Sequence, residues 1–123
     1  QRKALYDAYR AMGLKAYLSG LLGEDKAQSY LKKQGFEIIE RNFHSKFGEI
    51  DIIAKKDEIL HFIEVKSTEG DYEASYRLNA KKYEKILKTL NFYLLKKGLN
   101  NDFQVDLLCI YKNKTDFREN ITF

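Results

Sequence analysis

Residues 48–66 read GEIDIIAKKDEILHFIEVK, and this stretch decides the fold. Gly48–Ala54 and Ile59–Lys66 are both rich in the β-branched and aromatic residues that suit strands. Only the short, charged segment Lys55–Glu58 lies between them, which predicts a hairpin. Two carboxylates, Asp51 and Glu64, interrupt these apolar runs. A buried strand avoids such groups, because desolvating a charge is costly unless it is paired or binds a metal. Alternation puts Glu64 and Lys66 on one face, one pleat apart. In a suitable register the hairpin brings Asp51 next to Glu64.

Upstream, Phe36–Phe43 reads as a first strand, so the hairpin extends to a three-strand meander. Before it, residues 3–19 carry Leu5, Ala8, Tyr9, Met12 and Ala16 at helical spacing. Gly20 and Gly23 interrupt this pattern. A second helix then runs from Glu24 to Gln34, lined by Ala27, Tyr30 and Leu31 and capped by Gly35. One bent helix is the alternative. Downstream, residues 67–76 read as a loop and Leu78–Lys97 as an amphipathic helix. Tyr83, Ile86, Leu87, Leu90 and Leu94 form its apolar face, and Lys81, Lys85 and Lys88 lie opposite. Gly98 and Asn100 end it. Val105–Tyr111 has the continuous apolar character of a strand covered on both sides, and Asn120–Phe123 reads as a short edge strand. A helix crossing between the third strand and Val105–Tyr111 makes those two strands parallel. The predicted fold is an α/β sandwich: a mixed sheet with helices on both faces.

Composition bounds the rest. A chain of 123 residues with one Cys, no Pro and 33% charged residues suits one globular domain. The expected division is an N-terminal helix over 1–20, a core over 21–111 and a C-terminal extension over 112–123. No apolar run approaches the roughly 20 residues of a spanning helix, so no membrane partner is expected. Cys109 alone excludes an intrachain disulfide, and two His with one Cys argue against structural zinc. With no signal-peptide pattern, the cytoplasm is the expected compartment. The net charge of +4 permits a nucleic-acid partner without requiring one. Its distribution says more: residues 36–76 carry a net −5 and residues 77–97 a net +6.

Converging carboxylates repel, and one pKa rises unless a cation sits between them. Hard oxygen donors favour Mg²⁺ or Mn²⁺. Such a metal activates water and orients a phosphodiester, and a neighbouring Lys helps deprotonate that water or stabilises charge on the phosphate. Asp51 with Glu64-x-Lys66 is therefore a sensible phosphodiesterase pattern. A surface Glu64–Lys66 ion pair on an edge strand is the competing explanation.

The two blocks GEIDIIA and FIEVK carry a family resemblance. They follow the run Gly23-Glu24-x-x-Ala27-x-x-Tyr30-Leu31-x-x-x-Gly35-Phe36-x-Ile38-x-Glu40-Arg41-Asn42-Phe43, and the helix containing Lys82 comes after them. Over residues 20–110 the chain resembles the YraN family of small bacterial proteins. That family is related to archaeal Holliday junction resolvases and to the PD-(D/E)xK restriction-endonuclease-like superfamily. The resemblance implies an αβββαβ core, the order read above. It implies catalytic roles for Asp51, Glu64 and Lys66, with Asp51, Glu64 and Glu24 at a Mg²⁺ or Mn²⁺ site. A carboxylate favoured at a helix N-terminus explains Glu24 equally simply. The implied activity is metal-dependent endonuclease cleavage of DNA, branched or structured DNA included, and resolvase-like relatives allow a homodimer. The alternatives are a non-catalytic DNA-binding accessory protein that keeps the fold, and an interaction module with ion-paired carboxylates. The acidic stretch Ser67–Glu73 departs from the family pattern, in which a basic residue often follows Glu-x-Lys.

Other residues carry competing readings. Arg41, Lys81, Lys82, Lys85 and Lys88 are candidate phosphate contacts; a solvated surface is the alternative. Asn42, His44 and Lys46 stand near the same strand end as Arg41. Tyr72 and Tyr76 suit base stacking or ordinary packing. His61 has the parity opposite to Glu64 and is expected to point away from the site. Asp106 is expected to be a buried, hydrogen-bonded carboxylate, Glu49 an ion-pair or site residue, and Cys109 an inert core thiol.

Overall fold

The computed structural model describes residues 3–4, 14–68 and 77–122. Its elements are α1 (Leu14–Lys33), β1 (Glu37–Ser45), β2 (Gly48–Lys56), β3 (Ile59–Ser67), α2 (Ala80–Lys97), β4 (Phe103–Ile110) and β5 (Thr115–Arg118). The strands form one five-stranded sheet in the order β1-β2-β3-β4-β5. β3 and β4 are parallel and every other neighbouring pair is antiparallel. The β2–β3 hairpin closes from Lys56 to Ile59, with Asp57 and Glu58 at φ 53° and 66°. Two successive left-handed residues match the twist of the flanking strands.

Alternating residues feed two cores. On one face Phe43, Ile53, Phe62, Val105 and Leu107 pack with Ile86, Leu90 and Tyr93 of α2. On the other, Ile52, Ala54, Ile63, Leu108 and Ile110 pack with Ala27 and Leu31 of α1. This is the mixed sheet with a helix on each face that the sequence predicts. Asn79 caps α2 by accepting the Lys82 N–H at 2.8 Å, and Gly98 ends it at φ 64°. No described helix is long and apolar enough to cross a membrane.

Two expectations need correction. The predicted break at Gly20 and Gly23 does not occur: both lie inside the continuous α1. Gly23 is set against β3, and a Cβ there would lie 2.4 Å from Ser67 Cβ. This glycine serves close approach, not helix termination. Of the N-terminal helix predicted over 3–19, residues 5–13 lie outside the described set, as do residues 69–76 of the predicted loop, with Tyr72 and Tyr76. The edge strand predicted at Asn120–Phe123 instead forms at Thr115–Arg118. A turn closed by Tyr111 N–H to Lys114 O at 2.8 Å reverses the chain directly after β4. Phe117 then packs edge-on against Tyr30 and Phe36.

Asp106 and His61 are buried, and their parity directs them away from Glu64. Asp106 accepts from Asn120 N and Gln104 Nε2, each at 2.9 Å, and pairs with His61 Nδ1 at 2.6 Å. His61 also lies edge-on to Phe36. Asp106 is thus a fully bonded structural carboxylate, as expected. Cys109 is buried in the α2-side core, where burial raises its thiol pKa, and a protonated thiol is a poor nucleophile.

Candidate active site

The β2–β3 ladder ends at the pair Ile52–Ile63, while β3 continues along β4 as far as Ser67. Opposite this opening, Asn42 of β1 adopts φ 53°. Ile50 and Ile53 then face the same core, although strict alternation would separate them. Here the Asp51 carboxylate replaces the missing strand partner, accepting the Val65 backbone N–H at 2.8 Å.

Asp51 and Glu64 converge as the hairpin register implied, lining one cleft where the Glu64 charge acts on Asp51. The Asp51 carboxyl is pushed up to about 8. Burial is the largest cause, followed by the Glu64 charge; the Val65 N–H opposes them. The Glu24 charge raises it further. Both carboxylates line a cleft of about 430 Å³ with Gly48, Glu49, Lys66, Lys82 and Lys85. An all-oxygen pair of this kind, held close at a cost in repulsion, fits a hard divalent cation such as Mg²⁺ or Mn²⁺.

Lys66 stands on the cleft wall, one pleat beyond Glu64. Lys82 reaches across from α2 and forms an ion pair with Glu64 Oε2. This partnership was not read from the sequence, which offered Lys66 as the partner. The helical pattern set Lys85 opposite the apolar face, yet it lines the cleft, because α2 crosses close to Gly48. Lys81 and Lys88 are exposed on α2 and do not line the cleft.

Glu24 lies well inside α1, which removes the helix-terminus explanation. It is not part of the cleft wall. It accepts from Asn42 Nδ2 at 2.9 Å and lies 3.5 Å from Arg41, and its charge acts on Asp51. Arg41 is engaged by Asp25 at 2.9 Å and Gln28 at 3.0 Å, so its guanidinium braces β1 against α1. Glu49 pairs with the exposed His44 at 3.2 Å on the rim.

Comparison with known proteins identifies the family. Residues 23–110 match the model of the uncharacterised protein family UPF0102. The chain belongs to that family. It is 70% identical to a UPF0102 protein of Campylobacter jejuni over 112 residues, covering 91% of this chain and all of the relative. A Campylobacter fetus member is 59% identical over the same length and coverage. Among solved structures, the UPF0102 chain matches Hjc, a Holliday junction resolvase from Archaeoglobus fulgidus, with a TM-score of 0.53. That match covers 78% of this chain and 72% of the resolvase at 23% identity. It shows that this chain shares the fold of that resolvase, in line with the core that GEIDIIA and FIEVK implied.

Proposed function

We propose that this UPF0102 protein is a divalent-metal-dependent endonuclease acting on DNA. The observation that carries the reading is the Asp51–Glu64 pair: two carboxylates converging in a cleft that also holds Lys66 and Lys82. Asp51 and Glu64 would hold Mg²⁺ or Mn²⁺, with Glu24 adding negative charge from behind. A bound cation would supply Lewis-acid activation of water and charge neutralisation at the phosphate. The Lys66 ammonium would orient the attacking water and stabilise charge growing on the phosphate oxygens. Lys82 and Lys85, near the start of α2, would take phosphates flanking the scissile one.

The resolvase-like fold supports DNA as substrate and makes branched DNA the first class to test. Paired cuts across a junction would call for two copies of the chain. The test is a cleavage panel over linear duplex, single-stranded, flapped and four-way DNA, with Mg²⁺ and with Mn²⁺. Wild type should cut at least one substrate only with metal, and Asp51→Asn should cut none. Salt-sensitive DNA binding without cleavage of any substrate would identify a non-catalytic DNA-binding protein on the same fold.

A further inference from the structure

We propose that Lys82 is the resident counter-cation of the cleft, occupying Glu64 until a divalent ion displaces it. The proposal rests on the metal-site reading above and concerns how that site is filled and emptied.

The Glu64 side chain is 8% exposed, whereas Lys82 is 49% exposed. A carboxylate this deep needs a partner, since leaving it uncompensated is strongly unfavourable. The lysine has no such constraint. Its half-exposed stem can carry its ammonium into water once another cation takes its place on Glu64. The pair is thus asymmetric: one member is fixed and the other can leave.

The position of Lys82 on α2 points the same way. Its backbone N–H is the one accepted by the Asn79 cap, so it lies in the first turn. That turn holds no acidic residue, and Lys81 stands beside Lys82. Cations at the positive end of a helix dipole are unfavourable. The compensating charge for Lys82 comes from another element, through Glu64. The Glu64 carboxyl also lines the cleft with Asp51. An ammonium on Glu64 and a metal held by Asp51 and Glu64 would compete for the same oxygens.

Removing Lys82 should therefore tighten metal binding, whereas loss of an ordinary supporting residue would weaken it. The test is calorimetric titration of Mn²⁺ into wild type, Lys82→Ala, Lys82→Gln and Asp51→Asn. Both Lys82 variants should bind Mn²⁺ about tenfold more tightly, as expected when a competing ion pair and a like charge are removed. A second measurement uses wild type alone: amine-reactive labelling of Lys82, read by peptide mass spectrometry, should rise severalfold on adding Mn²⁺ while Lys96 stays constant. Equal or weaker Mn²⁺ binding by both Lys82 variants overturns the proposal, provided wild type binds and Asp51→Asn does not. Labelling of Lys82 that ignores Mn²⁺ overturns it as well. Absence of Mn²⁺ binding by every variant overturns the metal-site reading and this proposal together.

Discussion

The Asp51 carboxylate accepts the Val65 backbone N–H at 2.8 Å, directly beyond the last β2–β3 ladder pair. One side chain thus continues the sheet's hydrogen bonding and supplies half of the candidate metal site. Substitutions should separate the two roles. Asp51→Asn keeps an acceptor oxygen for Val65 and should match wild-type stability at acid pH and exceed it at neutral pH, while losing metal binding and cleavage. Asp51→Ala leaves the N–H without its partner and should be about 1–3 kcal/mol less stable than Asp51→Asn. Denaturant unfolding with calorimetric metal titration measures both. Equal stability of the two variants would show that the Val65 bond contributes nothing.

The raised Asp51 carboxyl sets a pH dependence of definite sign. Between its ordinary value of 3.8 and about 8 the folded chain keeps a proton that the unfolded chain releases. This contribution to stability is fully present below pH 3.8 and disappears as pH rises through 8. It gives the metal-free protein a downward slope of at most about 1.4 kcal/mol per pH unit. Asp51→Asn should remove that slope. Metal binding needs the carboxylate, so Mn²⁺ affinity should rise over the same window, level off above pH 8 and release close to one proton near pH 7. Calorimetry in buffers of different ionisation enthalpy counts that proton.

Gly23 tests how closely α1 approaches the site. Helix propensity alone favours Gly23→Ala by about 1 kcal/mol. A Cβ at this position would lie 2.4 Å from Ser67 Cβ, one residue beyond Lys66. The clash should reverse the sign, destabilising the protein by about 1–3 kcal/mol. Ser67→Gly should restore most of that loss, and a double-mutant cycle reads the coupling. Independent effects of the two substitutions would mean that the helix shifts freely away from β3.

The same pair explains what could and could not be read from the sequence. The meander, α2 and the convergence of Asp51 with Glu64 were legible because they depend on local quantities: strand alternation, a short charged connection and one helical stripe. The continuity of α1 depends on a contact between Gly23 and Ser67, far apart in the chain, and a glycine read locally looks like a break. Glu24 was assigned to a helix start for that reason. Lys82 and Lys85 were legible as a basic helix but not as cleft residues, since a helical wheel gives rotation and not the crossing of α2 over Gly48. The twist at Asn42 and the position of β5 likewise depend on tertiary packing.

The lysines of α2 divide into two groups with different expected effects on DNA. Lys85 lines the cleft beside the carboxylates, whereas Lys88, exposed on the same helix, does not. If DNA enters the cleft, Lys85 meets a phosphate near the scissile bond. Each phosphate contact contributes about one unit to the dependence of log affinity on log salt. Lys85→Ala should reduce that slope by about one and weaken binding at low salt across all DNA sequences. Lys88→Ala should leave both unchanged, although it removes the same net charge. Fluorescence anisotropy over a salt series makes the comparison. Equal losses from the two substitutions would mean that DNA responds to the overall field of α2, and the cleft would then not be where the backbone docks.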